Sequence, residues 1–230
     1  MLGTIVNTCA IIVGSAFGAM WHRGIKDKYK NVLYDGLGLV SLAVGLNASI
    51  GNFPKSGYPV LFIVSIALGG VVGTAVDIDG WFARTVDRHS SPADDRNRLS
   101  QGLATAILLY CIGPLSMLGP VVSALNGDNT FLFTNATLDL ISSIVFGSTY
   151  GVGMVLAAPV LFCWQGLFYA VTLWAGGVIS EQLMAELLIV GGLLITGSGL
   201  SLLNIRKIKV LNFLPALLVP VVWFLLSSLL

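Results

Sequence analysis

Asp139 lies well inside an otherwise apolar stretch, ATLDLISSIVFGSTYGVG. Asp139, Ser142, Ser143, Phe146, Gly147 and Tyr150 recur at i, i+3, i+4, i+7, i+8 and i+11, so on a helix a carboxylate, two hydroxyls and a phenol share one face. An ionised aspartate deep in a bilayer costs at least ~2.5 kcal/mol on insertion scales, and such a residue normally faces a cavity or a partner in the bundle interior. A carboxyl with hydroxyl neighbours and no nearby base can be neutralised by a cation or by a proton. The chemistry this face offers is therefore binding of an ion or small solute. The plainer alternative is a residue a turn or two below the outer surface, capping a helix or snorkelling.

A second feature is GPLSMLGP, residues 113–120, where each proline removes an amide donor and unties a carbonyl further back. In lipid such carbonyls must face protein or a water-lined cavity. A break at Gly113 and Pro114 thus either kinks a helix to fit the bundle or borders a permeation site. Asn7, Thr8, Gln165 and Thr196 are the other polar residues at depth, each alone more in keeping with an interhelical hydrogen bond than with a ligand contact. The candidate solute or ion site is Asp139, Ser142, Ser143, Asn7, Gln165, Gly113, Pro114 and Tyr150. Asp35, close to Lys30, reads as interfacial. No catalytic set is expected: there is no Walker loop or HExxH, and neither His22 nor His89 lies in a span. Cys9, Cys111 and Cys163 sit in apolar runs without a second Cys or a His at ligand spacing, so no metal or cofactor site is expected.

These residues must be positioned by membrane helices. Of 230 residues 56% are apolar and 10% charged, against roughly 25% charged in a soluble domain, so a soluble fold would lack a polar surface. A net charge of +1 without a basic stripe argues against nucleic acid as a partner. Apolar stretches near the ~20 residues a bilayer requires run over about 3–21, 33–50, 58–76, 99–118, 136–157, 160–179, 183–205 and 211–230. The predicted fold is all-α, a polytopic transmembrane bundle of about eight spans in a single domain. Seven remain open, because the fifth and sixth spans are joined by little more than Ala158 and Pro159 and the eighth contains Pro215 and Pro220. The first span has no basic residue ahead of it and Arg23, Lys26, Lys28 and Lys30 after it, the reverse of a cleaved signal peptide. With the N-terminus outside, eight spans place those four, Arg84, Arg88, Arg96, Arg98, Arg206, Lys207 and Lys209 inside and only Lys55 outside. Both termini are thus expected outside a bacterial cytoplasmic membrane. In the inner loop 77–100, Ile78, Trp81, Phe82, Thr85 and Val86 oppose Asp79, Arg84, Asp87 and Arg88, suggesting an interfacial turn extending the third span. Ser91, Pro92 and Asp94 suit the start of the fourth.

The 27 glycines imply close helix approach. Gly14/Gly18, Gly69/Gly73, Gly70/Thr74 and Gly147/Gly151 are spaced for packing faces, within the bundle or in a homo-oligomer. The second span, GLGLVSLAVGLNAS, also overlays the seventh, VGGLLITGSGLSLL, matching Gly38 with Gly192 and Gly45 with Gly199. After two residues of drift Pro59 meets Pro215 and Leu61 meets Leu217. Because the two copies cross in opposite senses, this points to a 3+3 inverted repeat around a central helix pair, with halves 1–76 and 160–230 and inserted spans 99–157. Such repeats give transporters two interchangeable gates. Composition alone can also produce four identities in a Gly/Leu-rich window.

TIVNTCAIIVGSAFGA, YCIGPLSMLGP followed by NGD, ATLDLISSIVFGSTYGVG, VGGLLITGSGL and KVLNFLPALLVP occur in this order over nearly the whole chain. In these the sequence resembles the YqgA/YdfK-like uncharacterised bacterial membrane proteins, a domain-of-unknown-function family. That resemblance implies a bacterial cytoplasmic membrane protein and carries no activity. A Lys often stands in its pattern where this chain has Asn135, one turn before Asp139, so a Lys–Asp pair is not assumed. Two functions are weighed: a small secondary transporter or channel-like permease for an ion or small solute, and a membrane scaffold or accessory subunit bound through its glycine faces.

Overall fold

The computed structural model describes residues 1–20, 27–81, 84, 99, 103, 106–107, 109–111, 113–175 and 180–227. Among these the regular structure is α-helix and 3₁₀-helix, without a strand. The α-helices whose bounds lie among the described residues are α1 (Leu2–Met20), α2 (Asp27–Asn52), α3 (Leu61–Val76), α4 (Pro114–Asn126), α5 (Thr130–Tyr150), α6 (Ala157–Ala175), α7 (Glu181–Leu202) and α8 (Leu218–Ser227). Short 3₁₀ stretches, Val152–Leu156 and Val210–Leu217, lead directly into α6 and α8. Five stretches are long and apolar enough to cross a membrane: Leu2–Met20, Thr130–Tyr150, Val152–Trp174, Glu181–Leu202 and Val210–Ser227. At 16 residues α3 is shorter, and α2, 26 residues long, is more polar.

The burial pattern explains why these helices belong in lipid. On α1 the buried residues are Gly3, Thr4, Asn7, Ile11, Gly14, Ser15 and Gly18, while Leu2, Ile5, Val6, Ile12, Val13 and Phe17 are exposed. α3 repeats this, burying Ser65, Gly69, Gly70 and Gly73 and exposing Ile63, Val64, Leu68, Val71 and Val72. In water this arrangement would waste the hydrophobic effect. In lipid, association comes from close packing and polar contacts, so small and polar residues go inside.

The chain forms two compact units, Met1–Leu33 with Phe82–Trp174 and Tyr34–Trp81 with Ala175–Leu230. The division cuts across the expected halves, since the first span lies with the fourth to sixth, and the second and third lie with the seventh and eighth. In the first unit α1 and α5 run parallel. A Cβ on Gly14 would lie 2.6 Å from the Leu140 carbonyl oxygen, and Gly18 and Gly147 rest as closely on the Ile144 and Ser15 backbones. In the second unit α2 and α7 run antiparallel with glycine opposite glycine. Gly45 faces the Gly192 carbonyl at 2.6 Å and Gly199 faces that of Gly38 at 2.9 Å, measured from the Cβ each would carry. Gly69 and Gly73 of α3 rest on the backbones of Ala216 and Asn212.

Several boundaries differ from the expected spans. α5 begins at Thr130, six residues before 136, because Thr134 and Thr137 return their hydroxyls to the carbonyls of Thr130 and Phe133 and so sit in a helix without an unmet polar group. The fifth and sixth spans part at Gly151, not at Ala158 and Pro159. Gly151, expected on a packing face, ends α5 with φ 88°, a conformation open to glycine, and no atom lies within 4 Å of where its Cβ would be. The helix restarts at Pro114, with Gly113 extended before it, and runs to Asn126, well past the expected end at 118. α3 stops at Asp77 in a left-handed conformation, and residues 78–81 are helical again directly after that break. Most of the proposed interfacial turn beyond Trp81 and the Ser91–Asp94 start lie outside the described residues.

Candidate functional site: a buried polar layer around Asp139

Asn129 sets the register of the first unit. Its Oδ1 accepts from the Gly3 backbone amide at 3.1 Å and from the Ser123 hydroxyl at 2.8 Å, tying the start of α1 and the end of α4 to the start of α5. Gly127, left-handed at φ 70°, closes α4, and Asp128 Oδ1 accepts from the Thr130 amide at 2.8 Å to open α5. With α1 and α5 parallel from this common end, Asn7 comes level with the second and third turns of α5.

Asp139 lies there, the tenth of 21 residues and about 13.5 Å along the helix at 1.5 Å per residue, so it is near the middle of the span. It is 5% exposed, which excludes the expected alternative of a capping or snorkelling residue near the surface. Asn135, one turn earlier, donates from Nδ2 to Asp139 Oδ2 at 2.9 Å. The Asn7 amide, fully buried, also acts on the carboxyl, yet neither its Nδ2 nor its Oδ1 completes a hydrogen bond. Cys111 is close enough to feel the Asp139 charge.

The neighbouring helices supply the rest of the layer. Ile11, Cys111 and Leu161 belong to one buried apolar cluster with Tyr110 and Met154. Asn7 is one turn before Ile11 on α1, and Gln165 is one turn after Leu161 on α6. α6 runs antiparallel to α1, its Gly166 lying toward Met1, so both steps lead the same way, to a polar layer stacked on the apolar one. Gln165, fully buried, donates from Nε2 to Ser116 Oγ at 3.2 Å, while its Oε1 has no partner. Ser116 lies in the first turn of α4, just beyond the Gly113 break, and Pro120, buried inside the helix, has no N–H to give the Ser116 carbonyl. Thr4, a turn from Asn7, is fully buried with its hydroxyl unpaired.

Of the sequence-derived set, the structure gathers Asp139, Asn7, Gln165 and the Gly113–Pro114 break into this layer. Ser143 is diverted: its hydroxyl pairs with Tyr110 OH at 2.9 Å, one turn away toward the apolar cluster. Ser142 is buried beside Asp139 on the same helix. Tyr150 is not brought in, because it stacks on Phe146 near the end of α5, about 16 Å from Asp139 along the axis. Thr8 and Thr196 return their hydroxyls to the carbonyls of Thr4 and Gly192 and are satisfied within their own helices. Ser116, Thr4 and, in the second unit, Glu186 are not among the residues the sequence singles out. Glu186 is fully buried, accepting from the Ser56 hydroxyl and from the Tyr58 amide at 3.2 Å, with Oε2 unpaired. It lies three residues inside the span expected over 183–205, which was the available signal. Among the described residues no three His, Cys, Asp or Glu side chains converge, so the layer is an oxygen and amide environment.

The family described as "Protein of unknown function (DUF554)" matches residues 2–225. The chain is 48% identical over 220 residues to "Uncharacterized membrane protein YdfK" of Bacillus subtilis (strain 168), covering 96% of this chain and 94% of the relative. It is 24% identical over 231 residues to "Uncharacterized protein YqgA" of Escherichia coli (strain K12), covering 95% and 94%. No solved structure matches it. Matched along nearly its whole length and built as a bundle of apolar helices, the chain is a membrane protein of the DUF554 family.

Proposed function

We propose that this chain is a small secondary transporter or channel-like permease for an ion or small solute, set in the bacterial cytoplasmic membrane with both termini outside. The observation that carries the reading is Asn7, fully buried beside a mid-span carboxylate with both amide atoms unpaired. Six of the seven buried side-chain polar atoms without a partner, among the described residues, fall in the first unit. Each such atom costs about 1–3 kcal/mol, which packing alone gives no reason to retain. Polar groups kept at membrane depth against that cost mark pathways for ions and polar solutes.

The glycine contacts of the second unit support the inverted repeat. If α2 and α7 are related by a two-fold axis between them, the match of Gly38 with Gly192 and Gly45 with Gly199 requires that a Gly45–Gly192 contact be accompanied by a Gly38–Gly199 contact, and both occur. Each repeat then gives one span to the first unit, α1 or α6, and two to the second.

Purified protein reconstituted in liposomes tests the proposal by flux assays over a panel of ions and small metabolites. Wild type should carry one of them and Asp139→Asn should not, with both proteins equally folded. Inert liposomes together with a stoichiometric co-purifying partner would overturn transport in favour of the scaffold reading.

A further inference from the structure

We infer that the layer formed by Asn7, Ser116, Asp139 and Gln165 is a binding site for a monovalent alkali cation. The inference deepens the permease reading and rests on it for what the ion does, though not for whether the ion binds.

α1, α4, α5 and α6 contain no Lys, Arg or His, and neither does any other position from Leu99 to Ser180, so Asp139 has no basic partner along these spans. A carboxylate buried at 5% exposure without a counter-charge is neutralised by a proton or by a bound cation. Asn135 Nδ2 donates to one carboxyl oxygen at 2.9 Å and so holds the group in place in either form; what favours the cation is the set of oxygens around it.

Asn7 Oδ1 and Gln165 Oε1 are buried amide oxygens without partners, and the Thr4 hydroxyl one turn away is unpaired as well. Ser116 adds a hydroxyl and, through Pro120, a carbonyl deprived of its helical donor. One carboxylate among neutral oxygens matches a hard cation of single charge. A divalent ion would leave a net positive charge in a low-dielectric layer, and transition metals would want imidazole or several thiolates, which the layer lacks. The two unpaired amides lie on α1 and α6, the same elements that each proposed repeat gives to the first unit, so a site between them is one both repeats reach.

The full chain in detergent tests this directly, by thermal unfolding and by saturable binding of radiolabelled Na⁺ and K⁺, with choline chloride holding the ionic strength. Wild type should bind one of the two saturably, about one ion per chain, and melt higher in that salt than in choline. Asp139→Asn should lose about a hundredfold or more in affinity. Asn7→Leu should weaken binding while leaving a folded bundle, and Glu186→Gln, which removes the other buried carboxylate, should leave it unchanged. Wild type that neither binds nor responds to either cation, but shifts its melting temperature with pH alone, overturns the inference whatever the variants do. Solute or proton flux in cation-free liposomes would then leave the permease standing, whereas cation binding without flux would spare the site and overturn the permease.

Discussion

Replacing Asn135 with leucine removes, among the described residues, the donor in the short hydrogen bond to Asp139 Oδ2. Both ends are buried, at 6% and 5% exposure, so water cannot replace the donor. A hydrogen bond to a charged group contributes about 1.5–3 kcal/mol in soluble proteins, while polar pairs between membrane helices reach at most about 1.7 kcal/mol. The two ranges overlap near 1.5 kcal/mol, which is the expected coupling. The cycle comprises wild type, Asn135→Leu, Asp139→Leu and the double variant, each unfolded reversibly in mixed micelles. Asn135→Leu alone should destabilise by about 1.5 kcal/mol or more, because a carboxylate is left without its donor. In the Asp139→Leu background the same substitution should be nearly neutral, since no buried acceptor remains. Asp139→Leu itself should not destabilise the bundle if the residue is kept for function, as an apolar replacement relieves a buried charge. Additivity of the two substitutions within about 0.5 kcal/mol would refute the pairing and with it the picture of an ionised carboxylate held by Asn135.

Single cysteines placed at Lys28 and Lys207 should react with an impermeant reagent only from the cytoplasm, and one at Asp128 only from outside; labelling of Asp128 from within would undo the eight-span orientation. Gly45→Ala and Gly192→Ala should each destabilise by about 1–3 kcal/mol because the new methyl meets backbone across the α2–α7 contact. Gly166→Ala, whose nearest neighbour is the Met1 side-chain end at 4.0 Å, should be neutral or stabilising, and equal effects at all three would contradict the contact geometry. Glu186→Leu should release Ser56 and the Tyr58 amide, speeding hydrogen exchange at Tyr58. Unchanged exchange there would mean that the carboxylate does not hold the loop before α3.

How much of this was legible follows from the range of each interaction. The face carrying Asp139 and Ser142 repeats along one helix and needs no partner to be read, and the Gly113–Pro114 break is a property of proline itself. Asn7 and Gln165 could be named as neighbours because polar residues at lipid depth have few places to go. Pairings between distant segments leave no trace in either segment: nothing near Ser143 announces Tyr110, and nothing near Glu186 announces Ser56 and Tyr58. Boundaries failed for a local reason. Pro159 was read as a breaker between spans, yet it is the third residue of α6, in the first turn, where the missing N–H would have had no intrahelical acceptor. Gly151, which does end a helix, was read as a packing residue because its spacing from Gly147 suits both roles.

The same distinction bears on what the two buried carboxylates do. Glu186 and Asp139 are both buried in α-helices, but Glu186 accepts from a hydroxyl and a backbone amide of a connecting segment, which gives it a structural task independent of any ligand. Asp139 accepts from Asn135 on its own helix, and Asn7, which acts on the same carboxyl from α1, has neither amide atom in a completed hydrogen bond. A residue retained for packing should have had its neighbours satisfied in turn, since an unfinished polar network in a low-dielectric interior is less stable than an apolar core of the same shape. Glu186 leaves one oxygen of its own unpaired but has a segment to hold, whereas around Asp139 the unpaired atoms are those of its neighbours Asn7, Gln165 and Thr4, and that difference is what separates a site from a clamp.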